Sequence, residues 1–446
     1  MTGAISAARL PREVIAQNFA DLHPPLHPNA ARVASERCLF CHDAPCVAAC
    51  PTSIDIPLFI RQISTGMALN AATTILESNI MGGMCARVCP TETLCEAACV
   101  RMESEGKPVE IGQLQRFATD ALMADGRQIF SRAAPTGRKV AVVGAGPAGL
   151  ACAHALARLG HDVTIFEGQE KSGGLNEFGI AAYKTVNDFA AREAAWIIGI
   201  GGIHVRHSQR LGREVHLADL RRDYEAVFLG MGLGGNNGLG IDTSGIAGVA
   251  EAVHFIAALR QAPDKTTLPL GRRIIVIGGG MTAIDMAIQA RRLGAEEVTI
   301  AYRRGQAEMK ASRLEQELAQ TDGVVIRHWL TPKALHAGPD GALQAVAFAS
   351  AAGETVTLPC DQLFLAIGQT LVPGELGEGT LALKQGRIRV DVARKTSLEK
   401  VWAGGDCIAG GQDLTVSAVE DGKQAARAID MHLRNADIPP ARAATR

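Results

Sequence analysis

The chain has 446 residues with a net charge of −1; 47% of them are hydrophobic, 20% charged and 4% aromatic, and 48 are glycine. That length allows two or three domains, each with its own core. The charge balance offers neither a basic surplus for nucleic acid nor an acidic tail, and the glycine content suits a backbone of tight turns and close approaches to ligands.

The first twenty residues, MTGAISAARLPREVIAQNFA, set Arg9, Arg12 and Glu13 into the opening turns and contain no apolar run of signal-peptide character. The apolar stretch 140–157 is interrupted by glycine and proline, so it reads as strand, turn and helix rather than as a membrane span. These features predict a cytoplasmic protein, a compartment in which structural disulfides are rare.

Cysteines dominate the next segment. RCLFCHDAPCVAACP (37–51) holds Cys38, Cys41, Cys46 and Cys50, and GGMCARVCPTETLCEAACV (82–100) holds Cys85, Cys89, Cys95 and Cys99. Between them, apolar residues recur at three- and four-residue spacing over 54–81, which reads as amphipathic helix. The segment is expected to form a small α-helical domain with cysteines at turns and helix ends. Structural zinc favours paired C-x2-C units, and only Cys38 and Cys41 have that spacing. The CxxC…C…CP texture is nearer to ferredoxins, where one cysteine of a run ligates a second cluster, and soft thiolates suit iron–sulfur centres. Iron–sulfur, zinc and free or disulfide cysteines remain the three readings of the spacing.

After the linker SRAAPTGRK, a β-branched strand (Val140 to Val143) runs into Gly144, Gly146 and Gly149, a helix follows, and a second strand ends in Glu167. This is the dinucleotide fingerprint: a tight turn, a close approach for pyrophosphate, tight helix packing, and an acid placed for the adenosine ribose. The pyrophosphate would meet the helix N-terminus, where free N–H groups and the helix dipole favour anions. A second copy follows at 272–305, with Gly278, Gly280 and Ala283 at the fingerprint positions. Its second strand ends not in an acid but in Arg303 and Arg304, which suits a 2′-phosphate and hence NADPH; the bland alternative is a pair of solvated surface arginines.

Near the far end, TSLEKVWAGGDCIAGGQDLTVSAVEDGKQAARAI (396–429) reads as a strand, the turn Gly404, Gly405 and Asp406, and a helix from about Thr415. Asp406 could reach a ribityl chain and the helix N-terminus could face a flavin pyrimidine, which predicts FAD in the first nucleotide fold; a turn residue without a ligand is the alternative. The strands at 226–232 and 363–369 look like the points where the chain passes between two nucleotide domains. The predicted fold class is α/β: a helical domain (1–130), an FAD domain split into 131–240 and 367–446, and an inserted Rossmann-like NAD(P) domain (241–366).

Taken together these motifs resemble the flavin–iron–sulfur family that includes the small subunit of glutamate synthase and the N-terminal half of dihydropyrimidine dehydrogenase. The resemblance covers nearly the whole chain and is nearer to the latter through CHDAPCVAACP, SNIMGGMCARVCPTETLCEAACV and TVSAVEDGKQAA. It implies two [4Fe-4S] clusters with interleaved ligands: Cys38, Cys41, Cys46 and Cys99 for one, and Cys50, Cys89, Cys95 and Gln115 for the other. Cys85 is then left over as a small buried residue, Cys407 sits beside the flavin turn, and Cys152 and Cys360 are expected to be core thiols. The implied function is electron entry, in which NAD(P)H is oxidised at FAD and electrons pass through the clusters to an FMN-containing catalytic subunit that reduces uracil or thymine. No catalytic acid or base is expected in this chain, and the pyrimidine site is expected to lie on the partner, since only NADIPPARAATR follows the FAD helix. Alternatives within the enzyme class are electron input to glutamate synthase or a ferredoxin:NAD(P)H oxidoreductase; outside it, a non-catalytic redox-sensing or assembly protein.

Overall fold

The structure is a computed structural model and describes residues 4–377 and 381–435; the stretch 436–446, ADIPPARAATR, lies outside the described residues. The chain divides into two compact units: one gathers the N-terminal residues up to Pro24, residues 177–187 and residues 235–370, and the other gathers 25–176, 188–234 and the chain from 371 onward.

The second-named unit begins with short helices. Pro28–Glu36, Pro45–Ala49, Ile56–Ser64, Ala68–Ser78, Gly82–Val88, Val100–Glu105 and Ile111–Asp125 follow one another with tight connections. The periodic stretch 54–81 is not one helix but two, because Gly66 sits at φ +81° between them, a conformation that glycine alone adopts at little cost. Both helices bury an apolar face, with Phe59, Ile60 and Ile63 on the first and Ala71, Ala72, Ile75 and Leu76 on the second.

The same unit then builds a five-stranded parallel sheet in the order Val401–Ala403, Ala226–Leu229, Lys139–Val143, Asp162–Phe166, Ile203–Arg206. Such strands are buried on both faces and read as continuous apolar runs, as in AVFL and VAVV. The helix Pro147–Arg158 packs on this sheet, with proline at its first turn, where a missing N–H costs nothing. Against it lies the long helix Thr415–Asn435. Their contact is close at Gly422, where a Cβ would stand 2.3 Å from Ala148 O. One continuous apolar core joins the helical segment to the sheet, running from Phe59, Ile60 and Leu114 to Val142, Ile165 and Val419.

The other unit repeats the design. Its parallel sheet has the order Val249–Glu251, Gln362–Leu365, Arg273–Ile277, Glu297–Ala301, Val325–Arg327. A three-stranded antiparallel sheet, Thr331–Ala337, Leu343–Ala349 and Thr355–Pro359, is inserted before Gln362. The segments by which the chain enters and leaves this unit, Gly235–Asn236 and Gln369–Thr370, pair antiparallel. In both sheets the strand that leads into a glycine turn lies centrally, with its successor on one side and a later strand on the other, which creates a crevice at the strands' carboxyl ends. No helix among the described residues is long and apolar enough to cross a membrane.

Candidate functional site

The eight clustered cysteines occupy helix ends and turns. Cys38 follows the helix Pro28–Glu36, Cys46 lies in the first turn of Pro45–Ala49 and Cys50 caps its C-terminus, Cys89 caps Gly82–Val88, and Cys99 is the N-cap of Val100–Glu105. All 11 cysteines are free thiols. Cys38, Cys41, Cys46 and Cys99 line one cavity of about 380 Å³, counted to its open mouth, whose floor includes Ile56 and Ile60. Among the described residues no three thiol, imidazole or carboxylate groups gather closely enough to hold a single metal ion. Four thiols around a space, rather than around a point, are the donor set a polynuclear cluster needs.

A second group forms around Cys50, Cys89 and Cys95, each close enough to influence the charge of another. Burial pushes the Cys46 thiol up to about 11, and its neighbours Cys38 and Cys99 push the same way. Cys89 is raised by a hydrogen bond with Cys85 and by burial, and Cys95 by burial and Glu96. Buried thiols held this far from ionisation release protons only to a strong cation, so cluster assembly and proton release are coupled. Gln115 is buried on the helix Ile111–Asp125, and its Nε2 donates to Gly82 O at 2.7 Å, which leaves Oε1, the atom with lone pairs for iron, outside that bond.

Sequence inspection missed the group that holds the helix Gly82–Val88 in place. Glu193, fully buried, accepts from Gly83 N at 2.8 Å and Met84 N at 3.2 Å, so its carboxyl caps the orphan donors at the N-terminus of the helix that carries Cys85 and leads into Cys89. Burial pushes its carboxyl up to about 8 against the opposing pull of Arg87 and the two N–H groups. The available signal was a glutamate on the otherwise apolar buried face of the helix FAAREAAWII.

The first glycine turn is shaped as a cradle. Gly144 has φ +94°, and a Cβ there would meet Gly230 O at 2.4 Å; a Cβ on Gly149 would lie 1.9 Å from Gly144 O. Gly146 and Gly174 pack backbone to backbone, since a Cβ on Gly174 would come within 2.7 Å of Gly146 Cα, and Gly146 is the N-cap of the helix Pro147–Arg158, whose N-terminus suits a pyrophosphate. Glu167 is buried just past the strand Asp162–Phe166, and its two oxygens accept from Ala145 N at 2.6 Å and Gln169 N at 2.7 Å. It therefore braces the turn through backbone amides.

Asp406 follows Gly405, which has φ +84°, and burial followed by repulsion from Asp413 raises its carboxyl to about 6. Thr415 opens the helix Thr415–Asn435 and donates through Oγ1 to Asn176 Oδ1 at 2.8 Å. Asp421, another residue that sequence inspection passed over, accepts from Gly405 N at 2.9 Å and from Arg394 Nε at 2.8 Å, fixing the Gly404–Gly405–Asp406 turn to the helix behind it. A helix acid lying among buried Val416, Val419 and Gly422 was the signal.

The second turn has the same backbone form. Gly278, φ +149°, would place a Cβ 2.3 Å from Ala366 O, Ala283 is fully buried, and a Cβ on Gly280 would meet nothing within 4 Å. Tyr302 leans its ring on Gly279 and donates through its hydroxyl to Glu308 O at 2.7 Å. Arg303 and Arg304 follow the strand Glu297–Ala301 and are exposed. The two glycine turns and the aspartate turn all fit dinucleotides, and the thiol groups fit iron–sulfur centres.

Comparison with known proteins agrees. Residues 15–127 match the family model described as dihydropyrimidine dehydrogenase domain II, 4Fe-4S cluster, and residues 138–422 match pyridine nucleotide-disulphide oxidoreductase. The chain is 36% identical over 422 residues to the NAD-dependent dihydropyrimidine dehydrogenase subunit PreT of Salmonella typhimurium, covering 94% of this chain and 98% of that one. It is 32% identical to the glutamate synthase [NADPH] small chain of Escherichia coli, covering 95% and 96%. Thioredoxin reductase of T. acidophilum shares the fold, with a TM-score of 0.54 and 20% identity over 67% of this chain and 99% of that one. The fold is thus the expected one, a helical iron–sulfur domain followed by FAD- and NAD(P)-type Rossmann folds, and the chain is an oxidoreductase. It belongs to the pyridine nucleotide-disulphide oxidoreductase family, in the branch that joins this fold to a helical 4Fe-4S domain.

Proposed function

We propose that the chain is the electron-entry subunit of a dihydropyrimidine dehydrogenase. It oxidises NAD(P)H at FAD and passes electrons through two [4Fe-4S] clusters to an FMN-containing partner subunit, which reduces uracil or thymine reversibly to the 5,6-dihydropyrimidine. One observation carries this reading: four thiols on one cavity and a glycine cradle with its aspartate turn belong to a single compact unit with one continuous core.

In this reading Cys38, Cys41, Cys46 and Cys99 hold one cluster and Cys50, Cys89, Cys95 and Gln115 the other. Gly144, Gly146, Gly149, Glu167, Asp406 and Thr415 hold FAD; Gly278, Gly280, Ala283, Arg303 and Arg304 hold the nicotinamide dinucleotide. When bound, FAD takes up two electrons as a hydride and the clusters carry electrons singly. The residues of the chain supply position rather than acid–base chemistry. The bare backbone at Gly146 lets the pyrophosphate approach, and the helix Pro147–Arg158 meets it with free N–H groups. Asp406, with a carboxyl near 6, can exchange hydrogen bonds with ribityl hydroxyls in either protonation state. Glu193 and Gln115 hold the first turn of the Gly82–Val88 helix, which leads to Cys89.

The related PreT subunit is named for NAD, whereas the exposed Arg303 and Arg304 favour NADPH. Anaerobic titration with each nucleotide tests the reading: bleaching of flavin and cluster absorption supports it and identifies the better donor, and a colourless or zinc-only protein overturns it. Similarity to the glutamate synthase small chain over 96% of its length supports a second reading, electron input to glutamate synthesis. Reconstitution separates the two, since only the true partner restores NAD(P)H oxidation coupled to its own substrate.

A further inference from the structure

In the unit that carries the second glycine turn, the parallel strands Glu297–Ala301 and Val325–Arg327 are neighbours, with Ala301 opposite Arg327. The chain continues past both in step: Tyr302 N donates to Arg327 O at 2.9 Å, Trp329 N to Arg304 O at 3.2 Å and Leu330 N to Tyr302 O at 3.0 Å. Trp329 therefore stands beside Arg303 and Arg304 at the carboxyl edge of the sheet, the edge at which open α/β sheets bind their ligands.

Three features set this tryptophan apart from a packing residue. Its side chain is 50% exposed, whereas Trp402 is 2% exposed. Its backbone is left-handed, φ +61°, which is unusual for a bulky residue and is a strain that gathers at ligand sites. Its indole lies over bare backbone, because a Cβ on Gly305 would come within 2.8 Å of Trp329 Cζ2. Gly305 N is bonded to Glu308 Oε2 at 2.8 Å, so the nearby carboxylate is engaged with the backbone, while Arg303 and Arg304 form no ion pair among the described residues.

We propose that Trp329 is the platform on which the adenine ring of the nicotinamide dinucleotide stacks, beside the arginines that face its ribose phosphate. The inference rests on the assignment of the second glycine turn to NAD(P) and adds to it a residue that no glycine fingerprint contains. An exposed indole face and a purine face bury apolar area on each other without needing a particular hydrogen-bond pattern. The adenine is common to NADH and NADPH, so the platform serves both equally, whereas the arginines distinguish them.

The test is equilibrium binding of NADH, NADPH and 2′,5′-ADP to the intact flavin- and cluster-loaded protein, in the wild type, Trp329→Ala and Trp329→Phe. Trp329→Ala is expected to weaken all three by roughly tenfold, within the range of one lost base–aromatic stack. Trp329→Phe is expected to recover most of the affinity. Unchanged 2′,5′-ADP affinity in Trp329→Ala overturns the platform while leaving the nucleotide assignment intact. A wild type that binds none of the three ligands overturns both. Should Trp329→Ala lose its fold, Trp329→Phe against Trp329→Leu, similar in bulk but differing in an aromatic face, decides by the same criterion.

Discussion

The two glycine turns share a plan but are finished differently. Around Gly144, Gly146 and Gly149 the structure closes in: Gly230 lies behind the turn, Gly174 opposite it, and the Thr415–Asn435 helix crosses the fold's first helix at Gly422. The acid at the end of the second strand, Glu167, is buried and tied to the turn's own amides. Around Gly278 and Gly280 the finish is open, with nothing near a Cβ on Gly280 and with arginines and a half-exposed tryptophan at the strand ends. The difference teaches which ligand stays: a turn enclosed by its own chain suits a resident cofactor, and an open one suits a nucleotide that arrives and leaves with each turnover.

The sharpest way to break that comparison is to add side chains to both turns. Gly149→Val drives branched carbon into Gly144 O and is expected to cost about 3 kcal/mol and to yield protein without flavin absorption. Gly280→Ala meets no atom, so it should keep the wild-type melting temperature and full flavin content while raising the KM for NAD(P)H roughly tenfold, ~1.4 kcal/mol. A Gly280→Ala protein that loses flavin as well would mean that the two turns do not divide the work.

Smaller in stability is Gln115→Ala. It removes the bond to Gly82 O, worth about 1 kcal/mol, and is expected to change the electron paramagnetic resonance spectrum of one cluster while sparing FAD. An unaltered spectrum would reduce Gln115 to a tie between helices. Arg303→Ala is expected to weaken NADPH by roughly tenfold relative to NADH, the loss of one charge-assisted bond. Equal loss for both nucleotides would remove the 2′-phosphate role.

A last expected effect concerns Glu193 and pH. Burial raises its carboxyl from 4.5 to about 8, so the folded state favours the protonated form; that stability is fully present below about 4.5 and is lost as pH rises through about 8. Glu193→Gln cannot ionise. Its apparent melting temperature should therefore fall less between pH 6 and pH 9 than that of the wild type, by a few degrees, and parallel curves would show that the group does not titrate in this range.

Much of the fold was legible because it is written locally. Apolar runs such as RIIVI and VAVV make buried parallel strands, glycines at 144 and 278 supply the positive φ of the turns, and proline at 147 starts a helix. The helical periodicity over 54–81 is carried by two helices for an equally local reason, since apolar spacing runs across Gly66 although the backbone turns there.

By itself, then, the sequence determined the two nucleotide folds and the position of every thiol along the chain. Tertiary packing alone decided which thiols meet: Cys99, remote in sequence, joins Cys38, Cys41 and Cys46 because the short helices fold back onto the core shared with the first sheet. It also decided that Glu193 caps a helix more than 100 positions earlier, that Asp421 reaches back to Gly405, and that Trp329 lies beside Arg303 and Arg304. Periodicity and turn chemistry act over a few residues, whereas convergence depends on how whole elements bury their apolar faces, and no local pattern encodes that.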